Sequence, residues 1–134
     1  MQLKREVLVK AIVTEKLKEE LKAQVQNALD ELASAQEEIE RQYRRLMLEL
    51  QRTDLNRAMA IRQQMDLERR RQEETRRELE ERLKEYDALA LESEIGLATY
   101  EGIVEIQPGD NFVQKTRQAE IVLRDDIVQE IREP

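Results

Sequence analysis

The 134-residue sequence has no cysteine and no histidine, only three glycines and two prolines, and 3% aromatic residues. Without cysteine there is no disulfide, no thiolate nucleophile and no cysteine-based zinc site. Without histidine the chain lacks the usual proton-transfer group near neutral pH and the commonest metal ligand. We therefore expect a protein that is not an enzyme, with no catalytic residue, no metal, no cofactor and no small-molecule substrate.

Long apolar runs are also missing. The apolar segment near the amino terminus is short and is interrupted by Lys10, so it does not resemble a secretory signal. No stretch approaches the roughly 18 consecutive apolar residues that a membrane-spanning helix needs. The sequence predicts a cytoplasmic protein with no membrane partner.

Charge is abundant and unevenly distributed. Charged residues make up 40% of the chain, and the net charge is −7. Residues 41–77 nevertheless carry eleven arginines against six carboxylates, a net +5, so the remaining residues carry −12. The acidic average therefore conceals a basic segment. Strong helix formers dominate, which favours long solvated helices over a thick core.

Helical periodicity begins after Thr14, whose hydroxyl can cap a helix. Apolar residues then recur at steps of three and four, as in a coiled coil. The predicted seam consists of Leu21, Val25, Ala28, Leu32, Ala35, Ile39, Tyr43, Leu46 and Leu50. Opposite charges four residues apart, such as Glu37 and Arg41, each stabilise the helix by about 0.2–0.5 kcal/mol.

A weak interruption at residues 52–54 predicts a turn between two helices. Thr53 and Asp54 are poor residues in the middle of a helix and good caps. The segments on either side are nearly equal in length, so folding there gives an antiparallel hairpin that brings Val25 near Leu79 and Ile39 near Met65. The alternative is one uninterrupted helix that pairs only with a second copy.

The second helix raises a question about arginine. Leu79 and Leu83 define an apolar seam that extends backwards to Arg76, Gln72 and Arg69. A buried, unpaired guanidinium is too costly for a dry seam. Three arrangements remain: the guanidinium groups reach solvent or glutamate while their stems pack, the hairpin is splayed, or the second helix is rotated. The rotated helix would present Met65, Glu68, Gln72, Thr75 and Leu79. All three predict a loosely packed middle.

Both ends of the chain have the character of strands. Residues 3–13 alternate and are rich in β-branched side chains, and residues 100–106 form a further strand. Residues 120–123 and 127–131 are predicted to pair in a hairpin whose turn is Asp125–Asp126.

We therefore predict a single α+β domain. A long antiparallel helical hairpin over residues 14–91, a coiled-coil arm, joins a small antiparallel β head. The amino-terminal strand and the strands of residues 95–134 form this head, and the first strand is expected to be largely buried.

Two segments resemble the YlqD family of bacterial proteins. They are VLVKAIVTEKLKEEL, at residues 7–21, and SEIGLATYEGIVEIQPGDNF with AEIVLRDDIVQEIRE, from Ser93 onward. The resemblance implies a strand, a long helical hairpin and a closing β segment. It implies no activity, because the family has no defined catalytic or binding motif.

The basic segment is a candidate phosphate-binding surface. A turn near residue 53 brings arginines of the two helices together, and the planar guanidinium suits phosphate. The candidate contacts are Arg41, Arg44, Arg45, Arg52, Arg57, Arg62, Arg69 and Arg70. RNA or the ribosome would be the partner. The alternative is a solvated face supported by ion pairs within the chain.

Three of the four methionines, Met47, Met59 and Met65, also fall near the predicted turn. Adaptable thioethers suit a surface that repacks on a protein partner, although they can equally pack the turn itself. Our first interpretation is a structural or interaction protein, a coiled-coil adaptor or holdase-like factor that is homo-oligomeric and has an unknown protein partner. An RNA- or ribosome-associated factor is the alternative.

Overall fold

A computed structural model describes residues 1–133, which form two compact units: residues 1–19 with 89–133, and residues 20–88. The predicted α+β fold, with a long helical hairpin and a small four-stranded sheet, is confirmed. In chain order the elements are β1 (Gln2–Ile12), α1 (Glu15–Thr53), α2 (Leu55–Asp87), β2 (Glu94–Glu105), α3 (Phe112–Thr116), β3 (Ala119–Arg124) and β4 (Ile127–Arg132).

Helix α1 begins at the predicted cap. The Thr14 hydroxyl accepts a hydrogen bond from the Leu17 N–H at 3.1 Å, which satisfies one of the free donors of the first turn. The same hydroxyl donates to Asp125 Oδ1 at 2.6 Å. Thr14 therefore starts the helix and also holds the turn between β3 and β4.

Asp54 alone separates the two long helices. Its backbone leaves the helical region at φ −153° and ψ 90°, and its carboxylate accepts the N–H of Arg57 at 3.1 Å. This cap ends one helix and starts the next without glycine or proline. The chain doubles back here, since Glu40 contacts Arg69 and Lys22 contacts Asp87. The alternative of one uninterrupted helix is therefore wrong.

The ion pairs across the hairpin are centred two to three residues beyond the predicted centre, although Ile39 and Met65, which were predicted to lie near one another, do line one groove. Glu40–Arg69 and Lys22–Asp87 are both centred on the Asp54–Leu55 bond. The predicted pairing of Val25 with Leu79 is centred on residue 52 instead. The cap explains the difference, because it places the turn at Asp54 and so moves each residue of α1 onto a later residue of α2.

The seam on α1 also rotates relative to the prediction. Ala35 is exposed and Gln36 is half-buried in its place, while Met47 is more buried than Leu46. A straight helix has 3.6 residues per turn, so a seam read at steps of three and four drifts around it. On α2 the most buried side chains are Ala58, Met65 and Gln72. The middle of the seam is therefore partly polar.

Arg69 resolves the question of arginine in the seam. Its guanidinium crosses to α1 and donates to both carboxylate oxygens of Glu40, at 2.7 and 2.9 Å. It also lies 5.1 Å from the centre of the Tyr43 ring, within cation–π range. The hydrogen bonds from Arg69 hold the pKa of Glu40 below its ordinary value. We call this contact the Arg69–Glu40 clasp.

Arg76 and Gln72 use partners on their own helix. Arg76 is half-buried and pairs with Glu73 and Glu80, so its stem packs while its charge is neutralised. Gln72 is buried and donates to Glu68 at 3.5 Å. The rotated arrangement is thus close to the observed one, except that Arg76 occupies the place predicted for Thr75, which is exposed.

The sheet has the strand order β2-β1-β3-β4. The neighbours β1–β2 and β3–β4 are antiparallel, but β1 and β3 are parallel, so the sheet is mixed rather than antiparallel throughout. The chain crosses from one side of β1 to the other through α3, which the prediction missed. The Asn111 side chain caps α3 by accepting from the Gln114 N–H at 3.1 Å.

The predicted turn between β3 and β4 is present, but the predicted burial of β1 is not. Asp125 and Asp126 have φ of 48° and 69°, as a two-residue hairpin turn requires, so the predicted turn is confirmed. The expectation that β1 is largely buried is wrong, because within it only Ala11 and Ile12 are buried. The sheet is too thinly covered to enclose the rest of that strand.

One face of the sheet carries a ladder of charges across all four strands. Lys10 pairs with Glu120 at 3.0 Å, and Arg132 pairs with Glu120 at 3.3 Å and with Glu94 at 2.5 Å. Hydrogen bonds from Lys10 hold the pKa of Glu120 below its ordinary value, and those from Arg132 do the same for Glu94. We call this set the charge ladder.

Removing the Arg69–Glu40 clasp should weaken the hairpin. A double-mutant cycle with Glu40→Ala and Arg69→Ala should give a coupling energy of up to about 1 kcal/mol, because two-pronged pairs are at the strong end of exposed ion pairs. Urea unfolding followed by circular dichroism measures it. The matched control is Glu38–Arg41, a pair within α1, whose coupling should be smaller. Equal coupling in both cycles would contradict a role for the clasp between helices.

The charge ladder makes stability depend on pH. The carboxyls of Glu94 and Glu120 have lowered pKa values in the folded state, so they bind fewer protons there than in the unfolded chain. Their stabilisation is present above the ordinary value of 4.5 and is lost as the pH falls through the lowered values. We expect Arg132→Met to flatten the loss of unfolding free energy between about pH 6 and about pH 3. The control Arg117→Met should leave that slope unchanged, and an unchanged slope in Arg132→Met would refute the assignment.

Candidate functional site

The turn end of the hairpin, residues 41–65, is strongly basic. It carries six arginines against two carboxylates, Glu49 and Asp54. The Asp54 carboxylate is already engaged as the cap of α2. Little negative charge is therefore available inside this segment to neutralise its arginines.

Five arginines of this segment are exposed, and the structure gives their side chains no ion pair and no hydrogen bond within residues 1–133. These tip arginines are Arg44, Arg45, Arg52, Arg57 and Arg62. Arg70 is also exposed and unpaired in the same sense, but it lies further along α2. Arg41 pairs with Glu38 at 2.6 Å, and Arg69 forms the clasp. Two of the eight predicted contacts therefore already form ion pairs within the chain.

A groove of about 420 Å³ lies between the helices on one side of the turn end. Both helices contribute to it: α1 supplies Tyr43, Arg44, Met47, Leu48 and Gln51, and α2 supplies Arg62 and Arg69. We call it the arginine groove. Arginines on opposite walls can approach one anion from two directions, which suits the planar, multi-donor guanidinium.

The chemistry of the arginine groove is uneven along its length. Arg69 is neutralised by Glu40, and the hydrogen bonds between them raise the pKa of Arg69 above its ordinary value. The side chains of Arg44 and Arg62 form no ion pair and no hydrogen bond within residues 1–133. Besides the hydrogen bonds from Arg69, the charge of Arg44 also contributes to the lowered pKa of Glu40. Met47 and Leu48 give the groove an apolar part. The groove therefore places guanidinium donors beside an apolar surface.

The three predicted methionine contacts have different environments. Met65 is only 7% exposed and packs within the hairpin. The prediction that it contacts a partner is therefore wrong. Met47 is half-buried, and Met59 is 58% exposed. Leu48 and Leu55, which the prediction did not single out as contacts, are exposed instead. The apolar surface of the turn end is therefore formed by leucine more than by methionine.

The sequence interpretation missed two further residues of this site. Glu40 and Tyr43 both hold Arg69, and Tyr43 also lines the arginine groove. Their roles depend on the register between the helices, which no local pattern reveals. The Asp54 cap is the signal from which the register could have been found, since the pairs are centred next to it.

Residues 1–133 lack two further features that would indicate a function. This part of the chain contains no group of three acidic side chains placed to hold a metal ion. None of its helices combines the length and the apolar character that crossing a membrane requires.

Comparison with known proteins shows the family of the chain and a similar structure. None of the curated proteins compared with the chain matches it. A crystal structure of a protein of unknown function from Synechococcus sp. WH 8102 is similar, with a TM-score of 0.76 and 27% sequence identity over 99% of this chain and 95% of that one. The family described as YlqD protein matches residues 1–132. The chain described above therefore belongs to the YlqD protein family.

Proposed function

We propose that this protein is a non-enzymatic binding protein, and that the turn end of its helical hairpin docks on the phosphate backbone of RNA, either free or within the ribosome. One observation carries the proposal. In a chain with a net charge of −7, the five tip arginines are exposed and their side chains form no ion pair and no hydrogen bond within residues 1–133. A polyanion supplies the missing negative charge.

The two arginines in the seam of the hairpin are paired, whereas Arg70, Arg71 and Arg82 on α2 are exposed and form no ion pair within residues 1–133. Arg69 pairs with Glu40, and Arg76 pairs with Glu73 and Glu80. A solvated face made stable by internal ion pairs would repeat this arrangement at the turn end. There the positive charges instead repel one another, at a cost to the hairpin that a bound anion removes.

The type of side chain also favours phosphate. All basic residues of the turn end are arginine, whose rigid fork binds phosphate oxygens in pairs. Arg44 and Arg62 line opposite helices of one groove, so a phosphate between them would bridge α1 and α2. The non-enzymatic role rests on the sequence, which offers neither histidine nor cysteine. A cytoplasmic location follows from this proposed partner.

A second candidate is a protein partner, in which the hairpin acts as a coiled-coil adaptor or holdase-like arm. The observation that favours it is the exposure of Leu48, Leu55 and Met59 at the turn end. Exposed apolar side chains grouped with arginine are typical of protein interfaces. The two candidates differ in which side chains supply the affinity.

RNA retention tests the first candidate. Changing Arg44, Arg45, Arg52, Arg57 and Arg62 together to glutamine should abolish most binding to RNA or ribosomes at moderate salt. Each lost phosphate contact should also reduce the slope of log affinity against log salt by about 0.7–0.9. Filter binding over a salt series, and sedimentation with ribosomes, measure the two effects.

The matched control removes five positive charges elsewhere on the chain, by changing Lys16, Arg82, Lys84, Lys115 and Arg117 to glutamine, all of which are exposed. It should keep its affinity and its salt slope. Equal loss in both variants would show a nonspecific charge effect, and no loss in the first would reject RNA docking by the tip arginines.

Suppression of aggregation tests the second candidate. If the apolar side chains supply the affinity, Leu48→Ser, Leu55→Ser and Met59→Ser together should abolish protection of an aggregating client while leaving RNA retention within about twofold. Light scattering of the heated client measures protection. The control, Leu91→Ser with Leu97→Ser, changes exposed leucines outside the hairpin. Absence of protection by the unaltered protein would reject this candidate.

A further inference from the structure

The sheet has one face without charge over three consecutive rows of paired residues. Side chains alternate between the faces of a strand, so directly paired residues share a face. The middle row runs across all four strands as Ala98, Val9, Ile121 and Ile131. The row of Ala11 also crosses all four strands and the row of Val7 crosses three, from Tyr100 to Ala119, and both consist of apolar residues. We call these three rows the apolar face.

Nothing in residues 1–133 covers the outer strands of the apolar face. Tyr100 on β2 and Ile131 on β4 are each 62% exposed, and Val128 on β4 is exposed as well. On the central strands Val9 and Ile121 are only half-buried. A sheet with a continuous apolar face is stable when another layer covers that face, so the structure is incomplete here.

Charged side chains of the opposite face are paired with one another. It carries the charge ladder, in which Lys10, Glu94, Glu120 and Arg132 neutralise one another. The ladder face also carries apolar side chains such as Ile103 and Ile127, but there they alternate with charged residues, whereas the three rows of the apolar face contain no charge. The covering layer must itself be apolar, because the apolar face offers no charge to pair with.

We propose that a second copy of this chain covers the apolar face, so that two sheets pack face to face in a homodimer. Identical copies with a net charge of −7 repel one another over most of their surface. The apolar face is a surface on which they can meet without placing like charges together. Packed sheets interdigitate their side chains about 10 Å apart, which a flat face of this kind permits.

The size of the apolar face fits a small, reversible dimer. Two rows cross four strands and the row of Val7 crosses three, so with strands about 4.8 Å apart and rows about 6.8 Å apart the apolar face covers roughly 360 Å². Two such faces remove about 700 Å² of flat area, and more when the uneven surface of the side chains is included, which is below the ~1,200 Å² of standard interfaces and belongs to the weak, transient class. The Arg5–Glu133 ion pair, at 2.9 Å next to the row of Val7, would form part of a polar rim.

Charge placed on the apolar face should separate the copies. The variant Tyr100→Lys with Ile131→Lys changes side chains that are exposed in the single chain, so its fold should persist. By analytical ultracentrifugation the unaltered protein should show a concentration-dependent mass rising towards twice the chain mass of 15.9 kDa. The variant should need at least a tenfold higher concentration to dimerise, because two ammonium groups from each copy would be desolvated without partners.

The matched control is Ile103→Lys with Ile127→Lys, at positions 70% and 71% exposed on the side of the charge ladder. It should dimerise like the unaltered protein. A monomer at all accessible concentrations, a dimer insensitive to Tyr100→Lys with Ile131→Lys, or equal weakening by the control would each overturn the proposal. Circular dichroism confirms that both variants are folded.

A fluorescent probe provides a positive readout that does not depend on disruption. The chain has no tryptophan, so Tyr100→Trp introduces one reporter at the apolar face. Its emission should shift to shorter wavelength as concentration rises through the dimerisation range, whereas Ile103→Trp should show no shift. This dimer does not rest on RNA binding. The quintuple glutamine variant of the tip arginines should dimerise normally, so either proposal can fail without the other.

Discussion

The Asp54 cap fixes where the hairpin turns, and the Arg69–Glu40 clasp reinforces the register on which the surface chemistry of the hairpin depends. A seam with this few large apolar side chains leaves two long helices free to slide, since Gln36 and Gln72 occupy positions that aliphatic residues would fill in a stronger core. A two-pronged ion pair opposes such sliding, because both oxygens of Glu40 are engaged at hydrogen-bond distance. Once that register is set, Arg44 and Arg62 line one groove, and the tip arginines gather at one end. The contact adds little free energy, but a small difference is enough to favour one helix register over others of similar free energy.

The parts of the molecule differ in whether their charged side chains form ion pairs. In the sheet, the charge ladder neutralises itself and leaves the other face apolar. In the hairpin, Arg76 is neutralised by its own helix, whereas the arginines near Asp54 are not. The two unsatisfied surfaces that remain have different character, one cationic and one apolar. They belong to separate compact units, so each can be tested without disturbing the other.

Much of the fold could be predicted from local patterns, and the failures have a common cause. The Thr14 cap, the break at Asp54 and the Asp125–Asp126 turn depend on neighbouring residues only, and all three are confirmed. The hairpin register, the parallel pairing of β1 with β3 and the burial of Met65 depend on contacts between distant residues. For the candidate site, the basic segment was evident from composition. Which arginines are free was not, because that required knowing which carboxylates the register brings within reach.

The parallel pairing of β1 with β3 has a consequence for the order in which the chain acquires structure. Val7 pairs with Ala119, so a central neighbour of the first strand emerges more than one hundred residues later. The hairpin, by contrast, relies on contacts within the chain already synthesised, and closing it brings the ends of α1 and α2 together. Loop-closure entropy then opposes sheet assembly far less than in an open chain. A nascent chain halted before Ala119 would expose β1 without its parallel neighbour, a state open to mispairing until the carboxy-terminal strands are released.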